Sequence, residues 1–124
     1  MTAAILIVDD EPNILISLEF LLKRAGYQVS LARDGQAALD AILRDRPALV
    51  LLDVMMPNKS GLEVCQAVRA DEACQGVRIL LLSAKGRDID VAKGLALGAD
   101  AYMTKPFATQ ALLQKVKGLL SPPP

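Results

Sequence analysis

Charged or hydroxyl-bearing side chains stand at the ends of four short apolar runs in this sequence. Asp10, Asp53, Ser83 and Lys105 follow these runs, and Asp9 adds a further carboxylate beside Asp10. The runs themselves are Ala4–Val8, Ala48–Leu52, Ile79–Leu82 and Ala101–Thr104. If folding brings these side chains together, the carboxylates repel one another unless a cation or the lysine lies among them. The residue types therefore predict an acidic site that holds a cation, the lysine or both.

The four apolar runs are typical of strands that are buried on both faces of a parallel sheet. In an open α/β sheet, ligands bind in the crevice outside the carboxyl ends of the strands. Because each polar residue follows its strand, we expect the fold to bring the carboxylates, the hydroxyl and the ammonium to one edge of the sheet.

Helical segments alternate with the strands. Pro12 suits the first turn of a helix, where its missing N–H costs little, and Gly26 ends that helix. Gly35 opens a second helix, which Pro47 closes. The other predicted elements are a short strand at Gln28–Ala32, a helix from about Ser60, a helix weakened by Gly86 and Gly94, and a last helix with apolar positions from Leu112 to Leu120. Five strand–helix units predict an α/β, doubly wound (βα)5 fold, with helices on both faces of a parallel sheet.

The length and composition indicate one domain. The 124 residues are close to the commonest domain size, and 52% of them are hydrophobic, which is enough for a core. We expect this domain to span residues 1–120. Ser121–Pro124 is expected to form a proline-rich tail or the start of a linker, since consecutive prolines do not extend a helix.

The charge balance and the apolar pattern argue against several classes of protein. Fourteen basic and fourteen acidic residues leave no basic footprint for direct nucleic-acid binding. No apolar stretch approaches the roughly 18 residues of a membrane span, and no signal-peptide pattern opens the chain. Cys65 and Cys74 match neither a CxxC pair nor a disulfide framework. We therefore expect a cytoplasmic protein with two free thiols.

Four stretches of the sequence carry a resemblance to a known family. They are Ile7–Pro12, Leu51–Pro57 with Gly61 after it, Leu82–Ala84 and Gly98–Phe107. In this order and at these strand ends, they resemble the receiver domains of bacterial two-component response regulators, and the likeness covers essentially the whole chain. The resemblance implies a flavodoxin-like receiver fold with strand order 2-1-3-4-5.

The resemblance also implies a phosphoacceptor rather than an enzyme. Asp53 would take a phosphoryl group from the phosphohistidine of a sensor histidine kinase or a phosphotransfer protein, with Mg²⁺-dependent self-phosphorylation and self-dephosphorylation at this residue. Aspartate carboxylates do form such acyl phosphates. By the match, Asp9, Asp10, Asp53 and the backbone carbonyl of Met55 would hold Mg²⁺, which prefers oxygen ligands.

The remaining site residues follow from the same resemblance. Lys105 would neutralise a phosphoryl oxygen, and the Ser83 hydroxyl would bond another. Ser83 and Tyr102 would then move together, so that the fourth helix, the fifth strand and the fifth helix change and control an output domain or effector protein. Similar receivers hold the bond between Lys105 and Pro106 in the cis form, an isomer essentially confined to proline.

Several alternatives stay open at the level of sequence. Asp9 and Asp10 could only cap the first helix, Asp53 could be a turn residue, and Tyr102 could be a half-buried aromatic. Ser83 could be a loop hydroxyl, and Lys105 an exposed lysine. An enzyme of the haloacid-dehalogenase type would need a second acid where Met55 stands, and a degenerate receiver would only bind partners. Ala101 replaces an acid that serves dimer contacts in some receivers, which weakens the case for a phosphorylation-dependent dimer of that kind.

Overall fold

The computed structural model describes residues 3–56, 59–84 and 86–120, and strand and helix alternate along them. The strands are β1 (Ala4–Val8), β2 (Gln28–Ala32), β3 (Leu49–Asp53), β4 (Arg78–Ala84) and β5 (Ala101–Lys105). The helices are α1 (Pro12–Arg24), α2 (Gly35–Asp45), α3 (Gly61–Ala70), α4 (Asp88–Ala96) and α5 (Thr109–Leu120), with a short 3-10 turn at Glu72–Cys74.

The five strands form one parallel sheet in the order β2-β1-β3-β4-β5. The predicted doubly wound α/β fold and its strand order are therefore confirmed. The register pairs Asp53 with Leu82 and Ser83 with Thr104, so the carboxyl ends of β3, β4 and β5 lie side by side.

Apolar side chains on the two faces of the sheet form two cores. One core packs against α1 and α5 and contains Ile5, Ile7, Leu49, Leu51, Leu80 and Leu82 from the strands. The other core packs against α2 and α3 and contains Leu6, Val8, Val50, Leu52, Ile79 and Leu81. Successive strand residues therefore alternate between the two cores, and the three central strands are buried on both faces as their apolar runs predict.

The helices that begin at the carboxyl edge of the sheet start with residues suited to a first turn, and α2 and α3 also have side-chain caps. Pro12 is the first residue of α1, as predicted. The Asp34 carboxylate accepts a hydrogen bond from the Ala37 N–H at 2.8 Å and caps α2. Ser60 and Glu63 form a reciprocal capping box that starts α3. These caps fix the helix starts beside the site.

Helix α4 is held unequally at its two ends. Arg87, at the N-cap position, makes no side-chain cap, and Ile89 in the first turn is 74% exposed. Near the C-terminal end, a Cβ atom on Gly94 would overlap the Leu81 side chain, so glycine allows the helix to pack closely on β4. Gly86 lies before the helix with φ +83 and does not interrupt it. The glycines that weakened the sequence prediction thus have separate structural roles.

An arginine at the end of α3 anchors the segment that follows α4. The Arg69 guanidinium donates to the carbonyls of Gly98 at 2.8 Å, Cys74 at 3.2 Å and Val77 at 2.7 Å. It also pairs with the Asp100 carboxylate at 3.0 Å. This network lies at the amino ends of β4 and β5, opposite the predicted site, and it fixes the C-terminal end of α4.

Some predicted boundaries differ from the structure. Strand β3 begins one residue later than its apolar run, β4 begins one residue earlier than its run and ends one residue beyond Ser83, and β5 ends at Lys105 rather than at Thr104. The 3-10 turn was not predicted because three residues give no helical period. Cys65 and Cys74 are free and buried. No helix among the described residues is long and apolar enough to cross a membrane. The predicted tail, Ser121–Pro124, lies outside the described residues.

Candidate functional site at the carboxyl edge of the sheet

The structure gathers the predicted acidic residues at one edge of the sheet. Asp9 and Asp10 follow β1, and Asp53 is the last residue of β3. One carboxylate oxygen from each of these residues lies within 4.8 Å of the other two. Asp9 and Asp53 are buried, with 0% and 7% of their surface exposed, whereas Asp10 is exposed. The three side chains therefore form a partly buried acidic cluster that opens to solvent.

Lys105, the last residue of β5, supplies both ion pairs that the structure records for this cluster. Its ammonium lies 2.6 Å from Asp9 Oδ2 and 3.7 Å from Asp53 Oδ1. The side chain is only 19% exposed, so it is not a surface lysine. The peptide bond between Lys105 and Pro106 is cis, as predicted. Lys105 therefore approaches the acidic cluster from the edge strand β5, which β4 separates from β3 and Asp53.

Asp9 and Asp10 do not cap α1. Glu11 occupies the N-cap position and makes no side-chain cap. Asp9 instead accepts the Glu11 N–H at Oδ1, over 2.9 Å, and the Lys105 ammonium at Oδ2. The helix-cap interpretation of these two residues is therefore wrong for the structure. The two bonds explain how a fully buried carboxylate is accommodated.

The pKa of Asp53 is raised from 3.8 to about 6, and burial is the largest cause. The Lys105 ammonium and the Met55 N–H, which donates to Asp53 Oδ1 at 3.3 Å, oppose this shift. The Asp9 and Asp10 carboxylates contribute to it, as like charges do. Perturbation of this kind is common at functional sites, although structural clusters also produce it. At neutral pH, Asp53 is ionised but held at an energetic cost.

Because the ionised Asp53 carboxylate destabilises the folded state, replacing Asp53 by asparagine in metal-free protein should raise the free energy of unfolding. Because the folded-state pKa lies above the unfolded value, the folded state binds more protons between 3.8 and about 6. The free energy of unfolding therefore falls as pH rises through this range. The difference between the folded-state and unfolded-state pKa values of Asp53 corresponds to about 3 kcal/mol of unfolding free energy. Screening by water at the open edge of the sheet reduces this to about 1–2 kcal/mol.

Urea unfolding of Asp53→Asn and the parent protein in a chelator checks this expectation. The variant should be more stable at neutral pH, and its advantage should disappear at pH values below 3.8. Asp40→Asn, which alters an exposed carboxylate on α2, serves as the control and should change little. Equal stability of the Asp53 variant and the parent protein at neutral pH would contradict the argument.

The connection between β3 and α3 places backbone groups beside the acidic cluster. Besides the Met55 N–H bond to Asp53, the Gly61 N–H donates to the Val54 carbonyl at 2.9 Å. Met55 is 54% exposed, and it contributes to the site through its backbone. The resemblance to receiver domains implied a role for the Met55 carbonyl but not for the Met55 N–H, and a backbone donor cannot be inferred from residue type.

Ser83 and Tyr102 lie at different depths. Ser83 is 1% exposed on β4, and its hydroxyl donates to the Ala84 carbonyl at 3.2 Å rather than to the acidic cluster. Tyr102 on β5 is 46% exposed. The hydroxyl is therefore not a loop group, and the tyrosine ring lies outside the core in this conformation.

The donor set of the acidic cluster fits a magnesium ion. One ammonium cannot neutralise three carboxylates, and carboxylate oxygens are the ligands that Mg²⁺ prefers. Asp10 is exposed, which leaves the cluster open to water, and Mg²⁺ commonly keeps several waters as ligands. The charge and the type of these ligands therefore suit a hard divalent cation rather than a soft metal.

Comparison with known proteins agrees with the fold. The family described as the response regulator receiver domain matches residues 5–117. A protein of Chloroflexus aurantiacus J-10-fl, provisionally described as a response regulator, is 35% identical, with a TM-score of 0.91 over 97% of this chain and 98% of that one.

Two further solved structures are similar. The receiver domain of a signal transduction histidine kinase from Syntrophus aciditrophicus is 33% identical, with a TM-score of 0.89 over 96% of this chain and 90% of that one. Chemotaxis protein CheY4 of Vibrio cholerae is 32% identical, with a TM-score of 0.89 over 97% of this chain and the whole of that one. The chain therefore belongs to the receiver domains of two-component response regulators.

Proposed function

We propose that this chain is a phosphoacceptor that takes a phosphoryl group onto Asp53. The donor is the phosphohistidine of a sensor histidine kinase or a phosphotransfer protein, and the reaction depends on Mg²⁺. The observation that carries the proposal is the joint placement of the Asp9 and Asp10 carboxylates and the Lys105 ammonium around Asp53. A turn residue or a helix cap would not need such a placement.

The transfer itself is a displacement at phosphorus. An Asp53 carboxylate oxygen attacks the phosphorus of a phosphohistidine whose other ring nitrogen is protonated, the bond from phosphorus to the imidazole nitrogen breaks, and that nitrogen keeps the electron pair. The product is an acyl phosphate on Asp53 and a neutral imidazole on the donor. Because phosphoryl transfer needs mainly positioning and charge stabilisation, this small set of residues is sufficient.

Each side chain of the site has a part in this chemistry. Asp9, Asp10, Asp53 and the Met55 carbonyl would hold Mg²⁺, which when bound offsets the negative charge of the acidic cluster and the phosphoryl group. Lys105 is close enough to Asp53 to turn its ammonium from the carboxylates to a phosphoryl oxygen. The buried Ser83 hydroxyl would rotate from the Ala84 carbonyl to another phosphoryl oxygen.

A groove beside Lys105 supports access for a protein donor. It has a volume of about 570 Å³ and lies between α1 and the segment after β5. Its apolar lining includes Ile14, Leu18 and Leu21 on one side and Pro106 and Phe107 on the other. A surface of this kind suits a helical partner that brings its phosphohistidine to the open side of the acidic cluster.

We propose that the chain is not an enzyme acting on a separate substrate. It phosphorylates itself from a donor, and water then attacks the phosphorus of the acyl phosphate, which releases inorganic phosphate and returns Asp53 to its free carboxylate. In the interval, the phosphorylated chain signals to an output domain or an effector protein through α4, β5 and α5. Location in the cytoplasm is part of this proposal, because the sensor kinases of such systems present their phosphohistidine there.

The proposed joint movement of Ser83 and Tyr102 predicts that phosphorylation changes the exposure of Tyr102. Beryllofluoride with Mg²⁺, a stand-in for the phosphoryl group, should draw Ser83 inward and reduce the exposure of the Tyr102 ring from 46%. Amide signals from residue 86 to about Phe107 should shift, while those of α2 should change little. New hydrogen bonds that contribute a few kcal/mol are enough to make a conformation that is populated at a few per cent the dominant one.

Two variants separate the switch from the chemistry. Ser83→Ala should still be phosphorylated but should show a weaker change at Tyr102. Lys105→Ala should lower both phosphorylation and the conformational response, because it removes the ammonium that faces the phosphoryl group. An unchanged Tyr102 exposure together with unchanged α4 signals in the beryllofluoride complex would refute this route of readout.

The experiment that tests the proposed function is chemical mapping. The protein is incubated with acetyl phosphate and Mg²⁺, and the acyl phosphate is then reduced with borohydride, which converts the modified aspartate to homoserine. One homoserine at position 53 is expected. Labelling at another residue, or none at all, would defeat the proposal.

A further inference from the structure

Gly35, the first residue of α2, is in direct backbone contact with the connection between β3 and α3. It is buried, and a Cβ atom built on it would overlap the Lys59 carbonyl oxygen and lie 2.6 Å from the Lys59 carbonyl carbon. Real Cβ atoms do not approach other atoms so closely. Only glycine therefore allows α2 and Lys59 to meet in this way.

A second glycine makes a comparable contact at the other end of the same connection. A Cβ atom on Gly61 would overlap the Asp53 carbonyl oxygen and lie 2.9 Å from Val54 Cα. The Gly61 N–H also donates to the Val54 carbonyl. The first residues of α2 and α3 thus contact the connection from two sides, one near Lys59 and the other at Asp53.

The connection between these two contacts bears on the phosphoacceptor. The Met55 N–H donates to Asp53 Oδ1 at 3.3 Å, and the Met55 carbonyl is the proposed backbone ligand of Mg²⁺. We infer that Gly35 is a positioning residue for phosphoryl transfer to Asp53, acting through the backbone contact with Lys59. This inference rests on the proposed function of the site.

An added methyl group at Gly35 should displace the connection rather than the helix. Helix α2 is fixed by the Asp34 cap at its first turn and by Ala38 and Ile42, both 0% exposed, in the core. Lys59 directly precedes the Ser60 cap of α3 and lies outside any helix or strand, so no regular hydrogen-bond ladder holds its backbone. A displacement of about 1 Å at a reacting group can cost about 100-fold in rate.

The main test compares Gly35→Ala with Gly98→Ala. Gly98 has φ +111, and a Cβ there would lie 2.6 Å from Arg69 Cγ, so its variant is also strained but lies at the opposite edge of the sheet. With acetyl phosphate and Mg²⁺, Gly35→Ala should be phosphorylated about 10-fold to 100-fold more slowly, whereas Gly98→Ala should keep the parent rate. Circular dichroism establishes the folded fraction of each variant.

A second readout does not depend on activity. In metal-free protein, the amide signal of Met55 should shift in Gly35→Ala and stay unchanged in Gly98→Ala. A parent rate in Gly35→Ala would overturn the inference, and so would a slower rate without a shift at Met55. Failure of the parent protein itself to be labelled at Asp53 would instead overturn the proposed function.

A milder variant covers the case in which Gly35→Ala does not fold. Asp34→Ala removes the 2.8 Å cap beside Gly35 and loosens the first turn of α2 without adding an atom. Asp71→Ala removes an equal 2.8 Å bond, to the Ala73 N–H, away from the site. Asp34→Ala should slow phosphorylation about 2-fold to 5-fold and shift the Met55 signal, in line with a modest capping energy. Identical rates for the two alanine variants would overturn the inference.

Discussion

Asp53→Asn should lose phosphorylation by acetyl phosphate altogether, a reduction of at least about 100-fold in initial rate. The amide of asparagine has no anionic oxygen to attack phosphorus and cannot form an acyl phosphate. The variant should nevertheless be folded, and in metal-free protein it should be more stable at neutral pH than the parent. Loss of labelling therefore cannot be attributed to unfolding.

Intact-protein mass spectrometry after incubation with acetyl phosphate and Mg²⁺ measures this loss. Asp40→Asn is the matched control, because it makes the same chemical change at an exposed carboxylate of α2 and should be labelled like the parent. Normal labelling of Asp53→Asn would show that another residue accepts the phosphoryl group, and the assignment of Asp53 would fall.

Removal of the divalent ion should have the second-largest effect. In a chelator, phosphorylation should drop by about 100-fold or more, because an anionic donor would approach three carboxylates that one ammonium cannot neutralise. Added Mg²⁺ should restore the rate, with weak affinity, as expected for a few carboxylates and water ligands. The rate is measured across a Mg²⁺ titration.

Asp10→Ala refines this test. Asp10 is the exposed member of the acidic cluster, so its removal should leave the core intact and raise the Mg²⁺ concentration needed for half-maximal rate. Beryllofluoride binding, which requires the same ion, should weaken in parallel. Chelator-treated protein that is phosphorylated at the undiminished parent rate would disprove the metal role of Asp9 and Asp10.

The apolar runs and the residues that end them predicted the parallel sheet and the gathering of Asp9, Asp53 and Lys105, whereas the strand order followed from the resemblance to receiver domains. It could not predict which carboxylate Lys105 approaches more closely. The ammonium is 2.6 Å from Asp9 and 3.7 Å from Asp53, a difference that depends on rotamers and on the Glu11 N–H bond to Asp9.

Backbone contacts were equally beyond the sequence. Gly35 reads as the start of a helix, and nothing in its neighbours indicates that Lys59 lies against it. The same holds for Gly94, which lowers helix propensity along the chain yet allows α4 to approach Leu81. Close approach between distant segments is decided by the assembled fold, and a local pattern carries no record of it.

Because helix α4 is held after its C-terminal end and has no side-chain cap at its start, a movement of this helix would pivot about its C-terminal end. Arg69 holds the segment after the C-terminal end of α4, while the first turn of α4 begins four residues after the end of β4, the strand that carries Ser83, and has no side-chain cap. Nine residues at 1.5 Å each give a length of about 13 Å, so a tilt of about 10° about the fixed end would move the first turn by about 2 Å. Such a motion would displace the exposed Ile89 by the width of a methyl group while leaving the amino edge of the sheet at rest. With the segment after α4 held by Arg69, a small change at the proposed phosphoacceptor would thus move the first turn of α4 and alter the surface around Ile89.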